Sequence, residues 1–252
     1  MKKFVISLVF IFSVPLCVCL LFWIDPQNKY NYRFVVSALL YLLLIIDCLK
    51  YLKKLPIPKR SVLLAVLTII VVVGYTTPIT WIAVLAAIAT SLVLLKCLDG
   101  EWDLNRFLIW ARNDIASNIR ILSGITLTFF IISIIQRKGD FNFQWSAFRS
   151  SLAAAFSEEL IFHVYLPVCL YKRLDNNDNP GNKIWAFFSI LVPFILLHLL
   201  DNTQGYDIQN IIRTSLSITG YSGVLVLLIN RFGIIYGIYA HFLIDFISMS
   251  FI

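Results

Sequence analysis

The chain has 252 residues, 60% of them hydrophobic and 14% charged, with a formal net charge of +7. A soluble domain carries about 25% charge, so this chain lacks the polar side chains needed to cover a water-facing surface. The basic excess sits between apolar runs and forms no stripe interleaved with aromatics, which excludes a nucleic-acid partner.

Met1-Lys2-Lys3 opens onto an apolar run that lasts to Ile24. It is too long for a signal h-region and no Ala-x-Ala-like site follows, so it reads as a first span. Bulky Leu16 ahead of Cys17 argues against a lipoprotein signal. Further apolar runs fall at 33–52, 61–77, 79–98, 119–136, 144–171, 184–201, 209–229 and 232–252. Asp25-Pro26, Pro56, Pro58, Pro78 and the segment 176–181 punctuate them. About 20 apolar residues cross a bilayer core. Almost nothing joins the third and fourth runs, so the expectation is an all-α, polytopic bundle of eight or nine transmembrane helices. Residues 1–252 form a single integral membrane domain on this reading.

The segment 100–118 mixes Trp, Phe and charge and reads as interfacial. The five cysteines, Cys17, Cys19, Cys48, Cys97 and Cys169, lie in or beside apolar runs without CxxC spacing, which excludes a disulfide framework or zinc knuckle. With the N-terminus inside, the outer loops hold only Lys29, Arg33, Arg137 and Lys138, while the inner side collects basic residues such as Lys53, Lys54, Lys59 and Arg60. The positive-inside rule therefore predicts a multi-pass cell-membrane protein with a cytoplasmic N-terminus.

Charges inside a bilayer cost several kcal/mol each on insertion scales, so those present need a reason. Three sets stand out: Ser157-Glu158-Glu159-Leu160-Ile161-Phe162-His163, Phe194 with His198, and His241 with Asp245. All three histidines of the chain lie within these apolar runs. Glu159 and His163 are four residues apart, hence on one helix face and able to pair, as are His241 and Asp245. Glu158 points about 100° away from Glu159. It shares a face with the small residues Ser151, Ala154 and Ala155, which admit a neighbouring helix. Gly220, Gly223, Gly233 and Gly237 mark further close contacts near the last span.

A single buried acid–histidine pair is often only packing glue. Adjacent glutamates and two further histidine sets are harder to explain that way, because each added charge raises the cost of burial. A carboxylate and two imidazoles can activate water and stabilise an oxyanion. The same residue types build a proton relay in a transporter, although no internal repeat supports one. His198, His241 and an acid suit zinc by residue type, but the helical His-Glu-x-x-His signature is missing, so no cofactor is expected. No Gly-x-Ser-x-Gly elbow exists either.

These motifs, in this order, resemble the CAAX-protease and bacteriocin-processing (CPBP, or Abi) family of intramembrane proteases, related to the Ras-converting CAAX endopeptidase. The family pattern is Glu-Glu-x-x-x-Arg, Phe-x-x-x-His, then His-x-x-x-Asn or Asp, on three membrane helices. Glu158-Glu159, Phe194 with His198, and His241 with Asp245 match it, within a motif-bearing core at about 145–250. The resemblance implies an endopeptidase in which Glu158 activates water without a metal. His198 and His241 with Asp245 would orient that water or stabilise the tetrahedral intermediate, with Glu159, His163 and Phe194 in support. The motif arginine is His163, a departure that exchanges a permanent charge for a conditional one. Expected partners are membrane lipids and a membrane-associated peptide or protein substrate, in peptide maturation or bacteriocin self-immunity. The rivals are a non-catalytic scaffold or immunity protein of the same family, then a proton-coupled transporter.

Overall fold

The computed structural model describes residues 29–52, 81–96, 114–136, 141–166, 191–192, 194–195, 198–199 and 208–250. Every regular element among them is helical: α1 (Lys29–Leu52), α2 (Trp81–Lys96), α3 (Ile115–Gln136), α4 (Trp145–Glu158), a π-helical segment (Glu159–Tyr165), α5 (Ile208–Phe232) and α6 (Ile234–Ser250). The expected runs at 4–24 and 61–77 lie outside the described residues, as do Cys17, Cys19, Cys97 and Cys169 and the loops that carry most of the basic asymmetry.

Two of these helices are long and apolar enough to cross a membrane, in the windows Ile115–Ile132 and Ile208–Ile229. Only 11% of each window is buried. A core helix of a soluble fold would be mostly covered by protein, and these two helices are not, as suits candidate membrane spans. The outward side chains agree, with Ile119, Leu127 and Ile135 exposed on α3 and Ile212, Leu216 and Leu227 exposed on α5.

The described residues fall into two compact units, one within Met1–Tyr41 and Phe162–Val224, the other within Leu42–Ile161 and Leu225–Ile252. In the second unit α6 is the central helix, packed most extensively on α4 and also on α3, while α4 touches α2. Small residues let α4 and α6 approach. Ala147, Ser151 and Ala155 repeat at four-residue intervals and are buried, and Ser151 Oγ lies 3.8 Å from Met249 Sδ. The far ends are tied where the Asn142 amide donates to the Ser250 carbonyl at 2.7 Å.

Two side-chain hydrogen bonds pin α6 to α3. The Tyr236 hydroxyl donates to Asn118 Oδ1, with both residues buried, and the Tyr239 and Thr126 hydroxyls meet at 2.6 Å. Asn118 is available because α3 starts at Ile115, ahead of its apolar run. Asp114 caps it, with Oδ1 accepting from the Ser117 amide at 2.7 Å. The end of α5 and the start of α6 are joined at Gly233, whose φ of 112° is open to glycine and strained for other residues. Gly220 and Gly223 depart from expectation: a Cβ on either meets nothing within 4 Å among the described residues.

Candidate active site

The chemistry-bearing end of α4 is where its helical winding changes. The Glu159 amide is shared between the Ala155 and Phe156 carbonyls, and from Glu159 to Tyr165 the helix is π-wound. Two residues earlier, Ser157 Oγ donates back to the Ala153 carbonyl at 2.9 Å, a side-chain bond that often bends a helix. Such π segments recur at functional sites because the wider turn re-aims side chains.

Both glutamates close on one imidazole of α6. His241 Nδ1 donates to Glu159 Oε1 at 2.7 Å. On the other side of the ring, Nε2 lies 3.3 Å from Asp245 Oδ2 and 3.8 Å from Glu158 Oε2. The expected pair of His241 with Asp245 is therefore present. Glu159, which sequence spacing places on one face with His163, accepts through Oε1 from His241.

Exposure separates the three acids. The Glu159 side chain is fully buried, while those of Glu158 and Asp245 are 24% and 28% exposed. One carboxylate is thus sealed against the protein, and the other two side chains are partly exposed.

Gly237 explains how Glu159 reaches α6. A Cβ there would stand 3.4 Å from Glu159 Oε2 and would overlap Ile229. Since Gly237 precedes His241 by one helical turn, a bare patch of backbone and the imidazole share the face that meets the glutamate. The sequence marked Gly237 only as a close-contact glycine, and nothing in it named Glu159 as the neighbour.

The remaining motif residues form an aromatic group within the other unit. Phe194 stacks against Phe162 (centroids 5.0 Å apart), His163 (5.2 Å, edge-on) and His198 (4.3 Å). His198 Nδ1 donates to the Phe194 carbonyl at 2.9 Å. A carbonyl only accepts, so the hydrogen of this bond is on Nδ1.

No group of three or more His, Cys, Asp or Glu with a metal-holding arrangement occurs among the described residues. The chemistry open to the site around His241 is proton transfer: partly exposed carboxylates beside an oriented imidazole.

Residues 140–247 match the model of the family described as type II CAAX prenyl endopeptidase Rce1-like. The matched stretch contains every motif residue named above. No curated protein and no solved structure matches the chain.

Proposed function

We propose, on the premise that residues 140–247 match the type II CAAX prenyl endopeptidase Rce1-like model, that the protein is an intramembrane endopeptidase acting on membrane-associated peptides or proteins. Glu158 is the general base. It takes a proton from a water molecule, and the resulting hydroxide adds to the scissile carbonyl. The Glu158 proton then passes to the leaving amine as the C–N bond breaks, giving one carboxylate and one amine. The observation that carries this reading is the contrast within the Glu-Glu pair. Glu159 is sealed against His241, whereas Glu158 stays partly exposed within 3.8 Å of the same ring.

His241 and Asp245 face the developing oxyanion. Nε2 and Oδ2 lie 3.3 Å apart, and a hydrogen on either one is the donor that this reading assigns to the tetrahedral intermediate. His198 is assigned to the same reaction by its place in the motif order, with Nε2 as its working nitrogen. His241 stands seven residues from Ile234 and nine from Ser250, roughly 10 and 14 Å along α6 at 1.5 Å per residue. A site at mid-helix suits a substrate segment that enters the bilayer. The setting is a cell-membrane bundle of eight or nine spans with a cytoplasmic N-terminus, and the role is peptide maturation or bacteriocin self-immunity.

The test is hydrolysis of a membrane-peptide panel by the purified protein in lipid nanodiscs. Glu158→Gln abolishes cleavage while leaving expression and detergent stability nearly unchanged. A second reading, a non-catalytic scaffold or immunity protein, draws on His163 standing where the family motif has arginine. It is adopted instead if Glu158→Gln leaves the cellular phenotype intact.

A further inference from the structure

Hydrogen-bond accounting around His241 leads to the second glutamate. The Glu159 side chain is fully buried, with Oε1 2.7 Å from Nδ1 of the ring. An ionised carboxylate only accepts, so this contact requires the hydrogen on Nδ1. Oε2 of the same carboxylate lies beside Gly237, close enough that a Cβ there would be 3.4 Å away. Both carboxylate oxygens therefore lie close to one face of α6, and Oε1 is held there by the imidazole. With Nδ1 committed to Glu159, only Nε2 is left to face Asp245 and Glu158, whose side chains are partly exposed.

We propose that Glu159 is the positioning residue of this site, holding His241 in the Nδ1–H form so that Nε2 is presented between Glu158 and Asp245. The carboxylate touches no reacting atom. It acts through the imidazole, as a buried acid orients the histidine of a hydrolytic triad. This deepens the endopeptidase reading in its effect on rate, but the ring's protonation pattern does not depend on that reading. Glu159→Gln keeps the shape and removes the charge. A carboxamide can also turn its NH2 toward the ring, which places the hydrogen on Nε2 instead.

The chain has three histidines, so 15N-histidine NMR of the protein in nanodiscs resolves each ring, with His163→Gln and His198→Gln assigning the other two by elimination. Wild-type His241 carries hydrogen on Nδ1, whether or not Nε2 is also protonated, and Glu159→Gln changes that pattern. In the cleavage assay Glu159→Gln lowers kcat by about 10²–10⁴-fold, the scale of a lost tautomer-fixing acid, with KM little changed. Glu159→Asp keeps the charge and recovers part of the rate. A wild-type ring with Nδ1 bare overturns the proposal, as does a Glu159→Gln protein with both ring pattern and kcat unaltered. If Glu159→Gln does not fold, the wild-type ring pattern alone decides. If the wild-type protein cleaves nothing, the endopeptidase reading fails while the ring pattern still judges the role of Glu159.

Discussion

Gly237→Ala adds one methyl group where the end of α5 presses on α6. The new Cβ overlaps Cγ1 of Ile229, stands 2.8 Å from its Cδ1, and lies 3.4 Å from Glu159 Oε2. Ile229 must rotate or the two helices must part. Overpacking of this kind costs about 1–3 kcal/mol. Replacing a mid-helix glycine by alanine gains about 1 kcal/mol through propensity. The expected net effect is a destabilisation of roughly 0–2 kcal/mol, the difference between those two terms. A double-mutant cycle separates them. Ile229→Ala removes both colliding atoms, so in that background Gly237→Ala stabilises by about 1 kcal/mol. The coupling between the sites is then about 1–3 kcal/mol, equal to the steric term. The assay is thermal unfolding in detergent, with Gly220→Ala as reference because its Cβ meets nothing within 4 Å among the described residues. Equal stabilisation by Gly237→Ala and Gly220→Ala, with no coupling to Ile229, would refute the close approach of α6 to Ile229 and Glu159.

Gly233→Ala forces a side chain onto a backbone with φ of 112°, and its unfolding midpoint should drop by the equivalent of about 1–3 kcal/mol. Tyr236→Phe removes the hydroxyl that donates to buried Asn118 and should cost about 1–3 kcal/mol, read by the same melting assay. A fully neutral result there would mean that this bond does not fix α6 against α3. Cleavage that depends on Glu158 should persist in a strong chelator; activity lost on chelation and restored by zinc would overturn the glutamate-only mechanism.

The helices were legible because their signal is local. Long apolar runs mark spans whatever surrounds them, and α1, α2, α3, α5 and α6 all fall on such runs. Their ends were less visible. α3 begins ahead of its apolar run because the Asp114 side chain caps it, an effect of one hydrogen bond that hydropathy does not register. Glycine was ambiguous for a related reason. Gly220, Gly223 and Gly237 look alike in a hydrophobic string, yet only at Gly237 does a second side chain occupy the space left by the missing Cβ. That distinction depends on which helix arrives opposite.

The same limit governs the paired glutamates. Four-residue spacing on an ideal helix joins Glu159 to His163 and turns Glu158 about 100° away. From Glu159 to Tyr165 the segment is wound as a π-helix, whose wider turn re-spaces the side chains along it. An imidazole also offers two nitrogens on different edges, so side chains that diverge along one helix can still hold the same ring. Glu159 takes Nδ1, and Glu158 stands with Asp245 on the side of Nε2. Two adjacent carboxylates are thereby given different surroundings, one sealed and one partly open. A glutamate needed for proton transfer must be reachable, while the acid that orients its neighbour gains from being dry, because a charge-assisted hydrogen bond strengthens as water is excluded.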